Sequence, residues 1–264
     1  MALSPIRGSW ALILGASSGF GEAISLKLAE EGVNICGVHL DRKSTQGHVD
    51  EVVQKIKSLG VQAAFFNANA ADKEKRKEIV SQLKSLAPQG IQCLVHSLAF
   101  GSLKPFISQE EKDHVSQDAL EMTLDVMANS LVYWTQDCFR AGLLAKGCRI
   151  FAMTSSGGTR VWPTYGPVSA AKAALESHCR QLALELAPFG ITSNAIRAGV
   201  TDTPALRKIP GNDVMIETAL ARNPHKRLTT PGDVADAIAL LMHREASWLS
   251  GNVLGVDGAE DIVG

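Results

Sequence analysis

Short apolar runs alternate with longer amphipathic segments along almost the whole chain. The runs have the length of strands, and in the longer segments apolar residues recur at helical spacing. This alternation is typical of βαβ units, in which crossover helices bury both faces of a parallel sheet. The predicted strands are 10–14, 33–40, 61–66, 91–96, 149–153, 191–196 and 252–256. The predicted helices are 22–31, 47–59, 72–86, 119–144, 167–186 and 233–243. We therefore predict one α/β domain over residues 1–264, with a doubly wound, seven-stranded parallel sheet and helices on both faces.

Composition excludes several classes of partner. The 264 residues carry 26 basic and 27 acidic side chains, so the net charge of −1 offers no basic surface for nucleic acid or an anionic membrane. The five cysteines are scattered without a C-x-x-C pair, which predicts neither disulfides nor a metal site. No apolar stretch reaches the ~18 residues of a membrane helix, and residues 1–10 lack a signal-peptide core. A cytoplasmic location is expected.

A glycine-rich run separates the first predicted strand from the first predicted helix. Its glycines, Gly15, Gly19 and Gly21, permit a tight turn and let backbone N–H groups approach a pyrophosphate at the helix N-terminus. A plain structural turn is the alternative, and the flanking strand and helix favour the dinucleotide site of a Rossmann fold. The candidate contacts in this run are Gly15, Ser17, Ser18, Gly19, Phe20 and Gly21.

Glycines at this spacing, in a chain of this length, resemble the short-chain dehydrogenase/reductase family, and the resemblance covers nearly the whole sequence. It implies that Asn69 and Ala70 flank the adenine, and that residues 199–203 meet the nicotinamide after Ala198, which replaces the usual proline. The further cofactor contacts that it implies are Leu40, Arg42, Asn69, Ala70, Ser97, Leu98, Ala99, Lys172, Gly199, Val200, Thr201 and Thr203.

The end of the second predicted strand bears on the choice between NADH and NADPH. In such folds an acid there binds the ribose 2′-hydroxyl of NADH, or a cation meets the 2′-phosphate of NADPH. His39 holds the acid position here, followed by Asp41, Arg42 and Lys43. The cations favour NADPH, Asp41 can still serve the hydroxyl, and a solvated loop is the plain alternative. We expect NADPH, with NADH as the other possibility.

The catalytic segment departs from the common family pattern. Most members carry a tyrosine four residues before the helical lysine, but that position before Lys172 is Val168. Tyr165 lies seven residues before Lys172, ~10.5 Å away along a continuous helix, which is too far for the two side chains to cooperate. Pro167 favours the first helical position and disfavours helical geometry at Gly166, so we expect Tyr165 in the preceding loop with its phenol aimed at the nicotinamide.

A Tyr-x6-Lys spacing distinguishes the enoyl-thioester reductases within this family. Residues 96–100, His-Ser-Leu-Ala-Phe, are similar to a segment of the enoyl-acyl-carrier-protein reductases, in which we expect His96 to be a core histidine. Carbonyl-reducing members place a water-ordering asparagine where this chain has Met127, and Asn129 comes two residues late. Both features favour the enoyl reductases.

Ser155 allows two interpretations. It lies ten residues before Tyr165, where common bacterial enoyl reductases carry a second tyrosine, and seventeen before Lys172, like the catalytic serine of carbonyl reductases. A group of NADPH-dependent bacterial enoyl reductases resembles this chain in having a serine at this position. Ser155 therefore either polarises the substrate oxygen or caps a turn. The resemblance implies that Tyr165 donates to the substrate oxygen with help from Ser155, while Lys172 binds the nicotinamide ribose and lowers the Tyr165 pKa.

The expected activity is NAD(P)H-dependent reduction of trans-2-enoyl thioesters, carried on acyl carrier protein or coenzyme A, in fatty-acid synthesis. The alternatives are a carbonyl reductase acting on 3-oxoacyl thioesters or other ketones, and a non-catalytic dinucleotide sensor. We predict a substrate lid at about 204–223 and apolar substrate contacts from Phe100, Leu206 and Met215, for which core packing is the alternative. The resemblance also implies a homotetramer, although the apolar stripe Leu175, Leu182, Leu186 can equally face the sheet.

Overall fold

The computed structural model describes residues 6–263, so residues 1–5 and 264 of the predicted domain lie outside the described part. The strands are β1 Trp10–Leu14, β2 Asn34–His39, β3 Ala63–Asn67, β4 Ile91–His96, β5 Leu144–Ser155, β6 Thr192–Ala198 and β7 Val253–Val256. The helices are α1 Gly19–Glu30, α2 Gln46–Ser58, α3 Lys73–Leu86, α4 Gln117–Leu124, α5 Ser130–Arg140, α6 Gly166–Leu186, α7 Asn212–Arg222 and α8 Pro231–Leu241.

The seven strands form one parallel sheet in the order β3-β2-β1-β4-β5-β6-β7. The strand order reverses between β1 and β4, and in doubly wound sheets ligands bind outside the carboxyl ends of the strands at such a reversal. The predicted doubly wound Rossmann fold is confirmed. Its reversal directs attention to the loops that follow β1 and β4.

Both faces of the sheet are buried, as the continuous apolar strands predicted. In β1, Leu12 and Leu14 pack into the core layer beneath α3, α5 and α6. Ala11 and Ile13 pack into the opposite layer beneath α1, α2 and α8, because successive side chains of a strand point to opposite faces. Within residues 6–263, we find no helix long and apolar enough to cross a membrane.

The prediction of one continuous helix over residues 119–144 is wrong. The structure divides it into α4, a π-helical turn Asp125–Asn129 and α5. At this break the Ser130 hydroxyl donates to the carbonyl oxygen of Val126 at 2.8 Å, and such bonding to the preceding turn bends helices. Gly142, with φ +63°, then follows α5, and β5 starts at Leu144 instead of residue 149.

The apolar stripe of α6 faces the sheet. Leu175, Leu182 and Leu186 are all buried within the chain, so they offer no exposed surface to a partner. The segment predicted as a lid holds a 3-10 turn at Leu206–Lys208 and the helix α7. The homotetramer and the lid motion stay predictions.

Candidate active site

The glycine-rich loop after β1 forms a cradle that a side chain would fill. Gly15 has φ +88°, and a Cβ atom there would lie 2.3 Å from the Ser97 carbonyl oxygen. A Cβ atom on Gly21 would lie 2.0 Å from the Gly15 carbonyl oxygen. Ser18 is the N-cap of α1 and makes no side-chain capping hydrogen bond, which leaves the first amides of this helix available to an anion. The cradle therefore fits the pyrophosphate of a dinucleotide.

The loops after β4 and β6 close around the same cradle. The Ser97 amide donates to the Leu14 carbonyl at 2.8 Å, so the predicted segment 97–99 begins directly against the end of β1. A Cβ atom on Gly19 would lie 3.6 Å from the Thr203 methyl group. The structure thus brings predicted contacts from three separate loops together at the point where the strand order reverses.

At the end of β2, Asp41 is held by neighbouring side chains. Its carboxylate lies 3.0 Å from Nδ1 of His39 and accepts a hydrogen bond of 2.8 Å from the Thr45 hydroxyl. Burial raises the pKa of Asp41, but hydrogen bonds from Ser17, Thr45 and His39 outweigh it, so the pKa is lowered and the carboxylate is charged at neutral pH. Arg42 next to it is exposed.

The remaining predicted contacts of the adenine region follow β2 and β3. Leu40 exposes 65% of its surface directly after β2, which suits a residue that covers a planar ligand. The Asn69 side chain accepts from the Ala71 amide at 3.0 Å, and the Ala70 carbonyl accepts from the Trp134 indole at 2.8 Å. These bonds fix the backbone of the loop that the resemblance assigns to the adenine.

Three consecutive residues at the end of β5 lie against two side chains of α6 and the side chain of the residue before this helix. We call this arrangement the β5–α6 clasp, with the pairs Met153–Lys172, Thr154–Glu176 and Ser155–Tyr165. The Lys172 ammonium donates to the Met153 carbonyl at 2.6 Å, and the Thr154 hydroxyl donates to Glu176 Oε1 at 2.7 Å. The Ser155 hydroxyl lies near enough to the Tyr165 phenol to lower its pKa.

Tyr165 lies ahead of α6, where the sequence predicted it. It is the N-cap residue, and Pro167 occupies the first turn of the helix that begins at Gly166. A Cβ atom on Gly157 would lie 2.6 Å from Tyr165 Cε1, so the tyrosine ring rests against the bare backbone of the turn Ser156–Gly158. Ser155 Oγ also accepts from the Gly157 amide at 3.2 Å, which means that Ser155 both caps this turn and contacts the phenol.

In the clasp, the pKa values of Tyr165 and Lys172 shift in opposite directions. Burial raises the pKa of the Tyr165 phenol above its usual 10.0, and the nearby Ser155 hydroxyl opposes this only in part. The predicted lowering by Lys172 is wrong for this structure, because burial dominates. Burial lowers the pKa of Lys172 to about 8, and the Glu176 carboxylate opposes that shift. Tyr165 is therefore a neutral hydrogen-bond donor at physiological pH.

His96 and the α4–α5 break lie behind the clasp. His96 is fully buried, with Nε2 2.9 Å from the Ser130 hydroxyl, and burial followed by the Lys172 charge lowers its pKa to about 3. It is thus a neutral core histidine, as predicted. Met127 is buried, and Asn129 lies 3.1 Å from Nε2 of His178. Asn129 therefore pairs with α6 and does not replace the water-ordering asparagine.

The predicted substrate residues differ in exposure. Phe100 exposes 59% of its surface, Leu206 is buried at 8%, and Met215 is half-buried on α7. A contact that the sequence did not predict joins the loop before Tyr165 to the segment predicted as a lid: the Trp162 indole donates to the Pro210 carbonyl at 3.3 Å. The lid segment therefore rests on the loop between Ser155 and Tyr165.

The sequence analysis also missed Thr154, Gly158 and Glu176. A Cβ atom on Gly158 would lie 2.8 Å from Glu176 Oε1, so this glycine leaves room for the carboxylate. The available signals were the paired glycines 157–158 and a glutamate one helical turn beyond Lys172. Neither signal shows by itself which side chains meet.

Comparisons with known proteins agree with this geometry. A model of the family described as enoyl-(acyl carrier protein) reductase matches residues 15–259. The chain is 28% identical to 1-cyclohexenylcarbonyl-CoA reductase of Streptomyces collinus over 259 residues, which cover 97% of this chain and 88% of that protein. It is 30% identical to a 3-oxoacyl-acyl-carrier-protein reductase of Staphylococcus aureus over 255 residues, which cover 94% of this chain and 96% of that protein.

Two solved structures resemble the whole fold. The enoyl-acyl-carrier-protein reductase (NADH) of Aquifex aeolicus has a TM-score of 0.85 and 26% identity, and 98% of each chain is covered. A short-chain dehydrogenase of Burkholderia cenocepacia in complex with NADP has a TM-score of 0.82 and 28% identity, with 97% of this chain and 99% of that chain covered. Relatives of this fold thus use both nicotinamide dinucleotides.

Proposed function

Since the chain belongs to the enoyl-(acyl-carrier-protein) reductase branch of the short-chain dehydrogenase/reductase family, we propose that it reduces the 2,3 double bond of trans-2-enoyl thioesters. The observation that carries this proposal is the position of the phenol. Val168 is buried four residues before Lys172, and Tyr165 stands directly ahead of α6 with its ring against Gly157. This is the tyrosine spacing of the enoyl reductases.

The neutral phenol suits this reaction. When bound, the nicotinamide would supply a hydride to the β-carbon of the enoyl group. Negative charge would then develop on the thioester oxygen until the α-carbon takes up a proton from water. A Tyr165 hydroxyl that keeps its proton can donate a hydrogen bond to that oxygen, and donors aimed at developing charge contribute ~2.7–4 kcal/mol each. We assign the orientation of the phenol to Ser155, and the binding of the ribose hydroxyls to Lys172, whose ammonium is held by the Met153 carbonyl two residues before Ser155.

We propose NADPH as the cofactor. Hydrogen bonds with the Thr45 hydroxyl and Nδ1 of His39 already engage both oxygens of the Asp41 carboxylate, which leaves it poorly placed to accept from a ribose 2′-hydroxyl. Arg42 and Lys43 are exposed directly beyond it, so their cationic groups are available to a 2′-phosphate.

The further parts of the proposal concern the assembly and the substrate carrier. We propose that the acyl group arrives as an acyl-carrier-protein or coenzyme A thioester of fatty-acid synthesis in the cytoplasm, and that the protein is a homotetramer. Because Leu175 and its neighbours on the α6 stripe are buried in the sheet, a tetramer must use other surfaces. Native mass measurement tests the assembly.

The second candidate is a 3-oxoacyl reductase, which the Ser155–Tyr165 contact favours because carbonyl reductases also pair a serine with the catalytic phenol. Incubation of the purified protein with crotonyl-coenzyme A and NADPH tests the proposal, with the product identified by mass. We expect saturated butyryl-coenzyme A. Conversion of acetoacetyl-coenzyme A alone would replace the proposal by the carbonyl reductase, and binding of NADPH without conversion of either thioester would indicate a dinucleotide sensor.

A further inference from the structure

Glu176 has no task in the reaction described above, although it lies one helical turn beyond Lys172 on α6. Residues four apart on a helix have Cβ atoms about 5–6 Å apart. Glu176 is only partly exposed, and the Thr154 hydroxyl donates to its Oε1 at 2.7 Å. Gly158 leaves the space beside the same oxygen free of a side chain. The carboxylate is therefore fixed by β5 and the following turn on the stretch of α6 that carries Lys172.

Lys172 needs a countercharge more than a surface lysine does. It exposes 6% of its surface, and its acceptor, the Met153 carbonyl, carries no net charge. A buried ammonium without an opposite charge tends to lose its proton. Burial indeed lowers the pKa of Lys172 to about 8, and the Glu176 carboxylate works against this shift.

The histidine and tyrosine side chains of the clasp and its neighbouring elements are uncharged at neutral pH. On β4, burial and the Lys172 charge lower the pKa of His96 to about 3. On α6, burial lowers the pKa of His178, and ahead of this helix burial raises the pKa of Tyr165. Within residues 6–263, this leaves Glu176 as the negative charge that acts on Lys172.

We propose that Glu176 is a positioning residue whose carboxylate, tethered by Thr154, keeps Lys172 in its ammonium form and thereby sets the upper pH limit of cofactor binding. The inference rests on the proposed function only in giving Lys172 the ribose hydroxyls as its ligand. An ammonium donates stronger hydrogen bonds than a neutral amine and attracts the cofactor phosphates. Loss of its charge at alkaline pH should therefore weaken the binding of NADPH or NADH.

The test is the affinity for the more tightly bound of the two dinucleotides, measured by fluorescence from neutral to alkaline pH. Glu176→Gln keeps the shape and can still accept from Thr154, and it should shift the alkaline loss of binding to lower pH by about one unit. Glu185→Gln, on the same helix and exposed, is the matched control and should lose binding at the same alkaline pH as the wild type. If Glu176→Gln loses cofactor binding at the same alkaline pH as the wild type, the inference is overturned.

A second pair of variants covers the case in which Glu176→Gln does not fold. Thr154→Val removes the hydrogen bond to the Glu176 carboxylate and should lower the pH at which binding is lost, by a smaller amount than Glu176→Gln does. Thr154→Ser keeps a hydroxyl donor and should lose binding at the wild-type pH. If Thr154→Val lowers stability but loses binding at the wild-type pH, the role of Thr154 is purely structural and the proposal is contradicted. Since the readout is binding, a protein that binds cofactor but reduces no enoyl thioester would defeat the proposed function and leave this inference standing.

Discussion

The Lys172 ammonium nitrogen lies 2.6 Å from the carbonyl oxygen of Met153, two residues before the serine that contacts the phenol. One strand end thus lies against both groups to which we assign roles in the proposed reaction, because Ser155 lies near Tyr165 while the Met153 carbonyl holds Lys172. Their relative placement depends on the register of β5 against α6. Substitutions in the clasp should therefore affect cofactor binding and turnover separately, according to which pair they touch.

Removal of the phenol should lower turnover and spare cofactor binding. Tyr165→Phe keeps the ring against Gly157 but deletes the donor to the substrate oxygen, so we expect kcat to fall by about 10²–10³-fold while the Kd for NADPH changes less than about twofold. Steady-state kinetics and fluorescence titration measure the two effects. Tyr133→Phe removes the phenol of the other tyrosine, on α5, and should retain wild-type turnover. Equal turnover in both variants would exclude the role given to Tyr165.

Lys172 should make stability depend on pH in a defined direction. Its pKa of about 8 lies below the ordinary value of 10.5, so the unfolded chain binds the proton more tightly than the folded one. The resulting destabilisation is complete below pH 8 and disappears as the pH rises through 10.5. Relative to Lys172→Met, the wild type should gain about 3 kcal/mol in free energy of unfolding over this range.

Urea unfolding of wild type and Lys172→Met at several pH values between 8 and 10.5 measures this difference, since groups that do not interact with Lys172 titrate alike in the two proteins. A constant difference across the range would show that Lys172 is not a buried ammonium. The variant should also bind NADPH less tightly, because the ribose loses its cationic donor.

The phosphate cradle should not tolerate a side chain at Gly15. With φ +88° and a Ser97 carbonyl oxygen 2.3 Å from the added Cβ, Gly15→Ala strains the backbone by about 1–2 kcal/mol and displaces the loop. We expect the Kd for NADPH to rise more than about tenfold, since the displaced loop loses backbone hydrogen bonds to the pyrophosphate. Gly47→Ala on α2 is the control, because its Cβ meets nothing within 4 Å and it should stabilise the helix by about 0.5–1 kcal/mol.

The cations after β2 should determine the preference for NADPH. In the double variant Arg42→Ala, Lys43→Ala, we expect kcat/KM with NADPH to fall about tenfold or more and that with NADH to stay within about twofold, since only NADPH carries the 2′-phosphate. Lys55→Ala, exposed on α2, serves as the control. Equal losses with both cofactors would show that these residues do not contact the 2′-position.

Much of the fold could be predicted from the sequence because apolar runs determine buried parallel strands. The predicted ends of β1 and β4 coincide with the observed ones, and Pro167 correctly placed Tyr165 ahead of α6. The break after α4 could not be predicted, since it depends on a serine hydroxyl bonding to the turn before it. The Thr154–Glu176 contact joins residues far apart in sequence and depends on the register of a strand against a helix.

The central claim is that Tyr165, from its position ahead of α6, serves the reduction of a carbon–carbon double bond. The most direct test is the ratio of kcat/KM for crotonyl-coenzyme A to that for acetoacetyl-coenzyme A, measured with NADPH on one preparation of wild type and Tyr165→Phe. We predict a ratio well above one in the wild type and loss of crotonyl reduction in the variant. A ratio below one, or crotonyl reduction that survives the loss of the phenol, would contradict the account.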